Sequence, residues 1–343
     1  FPDDDLARER AARFGFQLYP SVEETLTLGG SRLAVDGVVI IGEHGKYPVN
    51  ERKQTVYPRY DWFKRTVRVF ESSGRSVPVF NDKHLSTDWQ ECVEMVEDSR
   101  RLGFAFLAGS SLPVTWRIPD LAPPLGIRLR ESLCICYGGV DSYDFHGFET
   151  AQCLSERRHG GESGVRSVQA HRGEAVVDFL AARETTRRLA FAALQRSQTA
   201  KAPEGHTVVP PSLAWLRSNS ANFTAFDVEH LDGFRTTLLL LNGLVLDFTY
   251  AGLTEANTVI STLFHLPMPP RLSTLADFFN PLVNHIERTF AARRTTYPVE
   301  RTLLTSGLTA LGVESIHRGG ARIDTPRLEV SYDGVEDSGH WRT

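Results

Sequence analysis

Val77-Pro78-Val79-Phe80-Asn81-Asp82-Lys83-His84-Leu85-Ser86 is an apolar run that stops abruptly in four polar side chains. Such a run reads as a strand buried on both faces, Val77 to Phe80, with a polar tip where the backbone leaves the sheet. Upstream, Val35 to Ile41 has the same form and ends in Gly42-Glu43-His44-Gly45. Downstream, Phe104 to Leu107 repeats it and leads into Ala108-Gly109-Ser110-Ser111. Helical patterns separate the three: Phe63, Val67 and Phe70 closed by Gly74, then Trp89, Val93 and Val96 behind a cap at Thr87 to Gln90. Strand, helix, strand, helix, strand predicts a parallel sheet. Ligands of such sheets bind beyond the carboxyl ends of the strands, so three polar tips together predict a site.

Further out the pattern changes. On the N-terminal side a helix over residues 4–14 is stopped by Gly15, a short strand is expected at Phe16 to Tyr19, and Ser21-Val22-Glu23-Glu24 is a capping box. A polar loop rich in prolines and tyrosines runs from Lys46 to Arg59. Beyond Pro113, the prolines Pro119, Pro123 and Pro124 mark a boundary, and a helix carrying His146, Glu149 and Cys153 follows. Strands are expected at Val165–Ala170, Phe223–His230, Thr236–Leu241, Val245–Tyr250 and Val259–Phe264, with Asp232-Gly233 as a hairpin turn. Helical patterns cover roughly 176–196, 274–294 and 299–316. The expectation is an α/β protein of two domains, 1–115 with the parallel sheet and 116–343 an α+β unit with a large, mostly antiparallel sheet. The helix near 299–316 is expected to pack back onto the first domain.

The 343 residues are 41% hydrophobic and 23% charged, with a net charge of −4. That is enough apolar material for a sizeable core, and the interleaved charge gives no footprint for nucleic acid. Arg100-Arg101, Arg157-Arg158 and Arg187-Arg188 read as solvated helix faces. The four cysteines form no C-x-x-C, and Cys134 and Cys136 alternate on one side of a strand, as buried reduced thiols of a cytoplasmic protein would. No apolar stretch reaches the ~18 residues of a membrane span. The chain opens on Phe1, which suggests that a segment precedes it.

Two residues stand out chemically. Lys83, at a strand tip, can hold a carbonyl or hydroxyl oxygen. His146 lies near Asp141, Asp144 and Glu149, and the three-residue offset puts Glu149 on its face, where a carboxylate would fix its tautomer. His44, His84, His146 and Glu149 could alternatively hold zinc, manganese or iron, although no spacing matches a metal motif. There is no glycine-rich phosphate loop, and no G-x-S-x-G elbow.

The Val77–Ser86 segment resembles the strand and Glu-Lys-Pro-Leu segment of the glucose–fructose oxidoreductase, inositol dehydrogenase and MocA (Gfo/Idh/MocA) family. Leu18–Leu26 and Val35–Ile41 resemble the helix and fourth strand that precede it there, and Gly138 to Leu154 resembles the family's Asp-x-x-x-His segment, with His146 in the histidine place. The resemblance covers roughly residues 5–170 and implies a Rossmann-like domain, here lacking its first strand and glycine turn, joined to a large-sheet α/β domain. It further implies an NAD or NADP-dependent oxidoreductase acting on a sugar, cyclitol or related hydroxy compound, assembled as a homo-oligomer (dimer or tetramer) and binding neither nucleic acid nor membrane. By this resemblance Lys83 binds the reacting oxygen, His146 moves the hydroxyl proton with Asp141 beside it, and Gly42, Glu43, His44, Asn81, Asp82 and His84 lie along the cofactor. The chain departs from the pattern at His84 (proline there), Asp82 (glutamate there) and Ser142 (aspartate there), and its Lys46–Arg59 loop is longer. A cofactor-free, metal-assisted lyase or hydrolase, and a non-catalytic ligand-binding relative, are the alternatives.

Overall fold

The computed structural model describes residues 6–342 except 43–44, 209, 211, 268–276 and 327. The chain opens with helices α1 (Ala7–Phe14) and α2 (Val22–Thr27), and the capping box forms: Ser21 Oγ accepts from the Glu24 N–H at 3.1 Å. Then come β1 (Val38–Ile40), α3 (Arg59–Ser73), β2 (Val79–Asp82), α4 (Trp89–Leu102) and β3 (Phe106–Gly109), whose strands pair in parallel in the order β1-β2-β3. The cap of α4 is Asp88, which accepts from the Gln90 and Glu91 N–H groups; Thr87 does not serve.

β2 and β3 lie about two residues beyond their expected positions, so Asn81 and Asp82 belong to the strand and Lys83 is the true tip. Residues 16–19 form no strand and are mostly exposed; among the described residues no strand pairs with them. Nor is β1 covered on both faces. Val39 shares a register row with Phe80 and Leu107, which are packed under Leu282 and Tyr297, but that cover stops short of the edge strand and leaves Val39 and Ile41 exposed.

The second sheet begins with β4 (Trp116–Ile118) and β5 (Leu129–Cys136), followed by α5 (Tyr143–Ser155), β6 (Val165–Arg172), α6 (Glu174–Ala182), α7 (Glu184–Leu194) and α8 (Leu213–Ser218). It continues through β7 (Phe223–His230), β8 (Arg235–Leu241), β9 (Phe248–Thr254) and β10 (Val259–His265), then α9 (Asn280–Ala292), α10 (Glu300–His317) and β11 (Ile323–Asp324). Its eight strands run β11-β6-β7-β8-β5-β9-β10-β4, antiparallel except for β5 beside β8. The single helix expected over 176–196 is two, because Arg183 is extended (φ −126°, ψ 95°) and its guanidinium reaches Asp227 at 2.8 Å. β9 starts at Phe248, since Asp247 is held in the preceding turn by Ser197 Oγ and the N–H groups of Gln198 and Thr199.

Arg157 and Arg158 are buried, not solvated. Arg158 pairs with Glu162 and Asp232, and Arg157 donates to the carbonyls of Pro123, Val335 and Glu336. All four cysteines are free and buried. No helix among the described residues is long and apolar enough to cross a membrane.

α10 joins the two sheets. Its small residues let it be buried on several sides: a Cβ on Gly307 would lie 2.5 Å from Leu328 and 2.8 Å from Trp89, and one on Gly312 would lie 2.7 Å from Phe226. At its start Arg301 and Glu156, both buried, form an ion pair at 2.5 Å. From this helix Ser306 Oγ accepts from the Leu85 N–H at 3.0 Å, fixing the turn that follows the β2 tip.

Candidate active site

At the end of β2 the backbone turns through Lys83, whose φ of 67° is left-handed, a strained choice for a side chain with a Cβ. The Lys83 N–H donates to the Gly109 carbonyl at 3.0 Å, and the buried Asn81 amide reaches the carbonyls of Asp82, Lys83 and His84 at 3.4–3.5 Å. The turn is thus tied from inside and aims Lys83 Nζ outward, where it meets Asp82 Oδ2 at 2.8 Å. Asn81 has no exposed surface and Asp82 lies behind Lys83; neither lines the cavity below.

The cavity has a volume of about 440 Å³ and opens where the strand tips face α5 and the second sheet. Lys83, His84, Asp141 and His146 all line it, with Arg59 and Ser111. Most of the remaining wall is aromatic (Tyr57, Tyr137, Tyr143, Phe248, Phe278 and Phe279), completed by Leu112, Ser142 and Leu266. The lysine of one sheet and the histidine over the other therefore share one crevice. Gly42 is packed beneath: a Cβ there would stand 3.2 Å from the Trp62 ring and 3.3 Å from Arg59. Glu43 and His44 lie outside the described residues.

His146 is held differently from expectation. Its Nδ1 lies 2.6 Å from Ser110 Oγ, at the end of β3. Glu149 does not touch the imidazole; Thr302 and Thr305 donate to its Oε1 at 3.2 and 2.6 Å, and the Ser110 N–H reaches Oε2 at 3.4 Å. The carboxylate is one step removed because α10 captures it, and it braces the turn that carries Ser110. Burial, with Lys83 and Arg59 nearby, pulls His146 down to about 3, so the ring is neutral near pH 7. Among the described residues its Nε2 has no hydrogen-bond partner.

His84 is also neutral, driven well below its ordinary value by burial and then by Arg59. Arg59 is itself buried, with Nη1 3.1–3.2 Å from the His84 ring nitrogens and its guanidinium stacked 4.2 Å over the Tyr57 ring. A guanidinium can only donate, so the facing imidazole nitrogen must be unprotonated. Asp141 (φ 72°) receives Gln54 Nε2 at 2.7 Å and the Thr55 N–H at 3.2 Å, which ties the 46–58 loop down across the cleft. Burial raises this carboxyl to about 6, and buried Asp144 behind it to about 7.

For the metal alternative, no three His, Cys, Asp or Glu side chains gather into a candidate cluster among the described residues, and Glu149 is turned away from His146. Two contributors were missed from the sequence. Ser110 was visible only as part of a polar tip, and Arg59 gave no signal, since a buried arginine at a helix start looks like a surface one.

No family model and no curated protein matches the chain. Solved structures do. GenD2 from gentamicin A biosynthesis, determined in complex with NAD, superimposes with a TM-score of 0.57 at 11% identity, over 94% of this chain and 86% of that one. The myo-inositol 2-dehydrogenase of Lactobacillus plantarum gives 0.53 at 10% identity, over 93% and 89%. A putative myo-inositol dehydrogenase of Sinorhizobium meliloti gives 0.52 at 13%, over 93% and 88%. The chain has the two-part α/β fold of these structures, the architecture that its resemblance to the Gfo/Idh/MocA family implied.

Proposed function

We propose that this protein is an NAD(P)-dependent oxidoreductase of the Gfo/Idh/MocA type, interconverting a hydroxyl and a carbonyl on a sugar, cyclitol or related compound. The observation that carries the reading is the shared cavity: an ammonium on a parallel-strand tip and a neutral imidazole from α5 line one crevice at the carboxyl ends of the sheet. Fold likeness to NAD-bound GenD2 supports it. We place the cofactor-binding unit at 1–115 and the substrate unit at 116–343, because the first strand of the large sheet is Trp116–Ile118.

When bound, the nicotinamide ring would supply the two-electron acceptor; Lys83 and His84, which line the cavity at the tip of β2, are the groups that would hold it, with Gly42 buried beneath them. Lys83 Nζ donates to the substrate oxygen and stabilises the negative charge that grows on it. His146 Nε2 takes the hydroxyl proton, which requires Nδ1 to keep its own proton in a hydrogen bond to Ser110 Oγ. In the reverse direction the imidazolium so formed returns its Nε2 proton to the alkoxide, while Nδ1–H stays on Ser110 Oγ throughout. The aromatic wall offers flat apolar surfaces for the C–H faces of a sugar or cyclitol ring.

The test is reduction of NAD or NADP by a panel of polyols, sugars and sugar acids. Turnover with at least one member, lost in Lys83→Ala and His146→Ala at unchanged melting temperature, is expected. Absence of nicotinamide reduction across the panel, or full turnover in His146→Ala, overturns the reading.

A further inference from the structure

Asp141 is a partition. On one side lies the Lys83–His146 cavity; on the other is a second cavity of about 320 Å³ to which the proposed reaction assigns no role. Besides Val140 and Asp141, its wall comes from three separate places: the 51–53 tip of the loop, Arg172 at the end of β6, and the end of α10 with Val313, Ile316 and His317.

The loop tip is a built feature. The Asn50 N–H donates to the Gln54 carbonyl at 3.0 Å and the Lys53 N–H to the Asn50 carbonyl at 2.9 Å, closing a tight hairpin. Asn50 Oδ1 accepts from the N–H groups of Arg52 and Gln54, both at 3.0 Å. This hairpin needs a left-handed residue at its fourth position, normally glycine or asparagine, yet Lys53 occupies it at φ 64°. Lysine there costs about 1 kcal/mol in backbone strain. Lys53, Asp141 and Lys83 are three of the six non-glycine residues of positive φ among those described, and all three line these two adjoining cavities. Strain of this kind persists where placement of a side chain matters.

Charge decides what the second cavity takes. Arg52 is drawn to Glu314 at 2.5 Å, a carboxylate that it shares with Arg318, also at 2.5 Å, outside the cavity lining. Among the described residues Lys53 and Arg172 form no ion pair, but Glu51 and Asp141 in the same wall balance them. A phosphate would meet two carboxylates as well as two cations, so an anion gains little. A neutral polyhydroxyl group fits better, because each hydroxyl both donates and accepts, and cations and carboxylates together satisfy both roles. Val140, Val313 and Ile316 give the apolar patch against which a ring face rests.

We propose that this cavity is a second carbohydrate subsite, so that the ligand is a glycoside or pseudo-disaccharide whose reacting ring lies by Lys83 and His146 and whose second ring lies across Asp141, between Lys53 and Arg172. As a statement about substrate it rests on the sugar-oxidoreductase reading above; as a statement about binding it does not. The experiment is a glycan array carrying mono- and disaccharides, probed with the full chain, with titration of the best disaccharide and its parent monosaccharide. Disaccharides should bind in preference to their monosaccharides. Lys53→Asn, which keeps the left-handed turn, and Arg172→Gln should each weaken the disaccharide about tenfold and leave the monosaccharide unchanged. Preference for monosaccharides, no binding to the array, or disaccharide affinity untouched by both substitutions overturns the subsite. Failure to bind nicotinamide with array binding intact would instead remove the proposed reaction and leave the subsite standing.

Discussion

Ser110 Oγ stands 2.6 Å from Nδ1 of His146, so a hydroxyl from the end of β3 orients an imidazole carried by α5. The same Oγ accepts from the Leu112 N–H at 3.1 Å, which fixes the serine before it can fix the histidine.

Removing that hydroxyl frees the ring and its tautomer. Ser110→Ala should lower kcat by roughly 10–100-fold with little change in KM, because orientation rather than ground-state binding is lost. Ser110→Thr, which keeps the hydroxyl, should recover most of the rate. Steady-state kinetics on the three proteins reads this directly; an equal rise in KM across both variants would mean that the turn, not the histidine, was disturbed.

Lys83 sets function against stability. Its φ of 67° is natural for glycine and strained for lysine. Lys83→Gly should therefore hold or raise the melting temperature, since strain of about 1 kcal/mol is relieved against a more flexible unfolded chain. Turnover should fall by at least ~100-fold. A marked loss of stability would show that the Asp82–Lys83 pair, at 2.8 Å, matters more to folding than to chemistry.

The pH profile separates two groups. His146 is pulled down to about 3, so it stays unprotonated far below neutrality and contributes no acidic limb near pH 6. Asp141 is raised to about 6 and must be ionised to accept both Gln54 and the Thr55 N–H. Activity should be flat at neutral pH and fall as pH drops through about 6, and Asp141→Asn should remove that inflection. The stability signs are opposite. The depressed histidine gives stability that is full above its ordinary 6.5 and lost as pH falls towards 3. The raised aspartate gives stability that is full below its ordinary 3.8 and lost as pH rises through about 6.

What could be read from the sequence was whatever depends on period and local chemistry. Alternating or continuous apolar runs located β2, β3, β7 and β8 to within a few residues, and Ser21 with Glu24 located a helix start. Lys83 and His146 were legible as a strand tip and a helical histidine. Pairing between distant segments was not. Glu149 sits on the His146 face of α5 by spacing, yet Thr302 and Thr305 arrive from about 150 residues later to take it. Arg157 and Arg158 look like a charged helix face until Glu162, Asp232 and the 335–336 carbonyls close around them.

One such long-range pair carries a stability prediction. Arg301 and Glu156 are both buried, and Tyr332 also donates to Glu156 at 2.9 Å. Arg301→Leu leaves a buried carboxylate without its partner and should destabilise by about 3–5 kcal/mol, measured by chemical denaturation. The double variant with Glu156→Leu should recover part of that loss, because it removes the stranded charge.

The central claim is that one crevice holds a nicotinamide ring beside Lys83 and His146. Titration of reduced nicotinamide dinucleotide into the full chain, followed by its fluorescence, tests this most directly. Saturable binding below ~1 mM, clearly weakened in Lys83→Ala, is the result this geometry predicts. A linear, unsaturated signal up to that concentration, or binding identical in the wild type and Lys83→Ala, would contradict it.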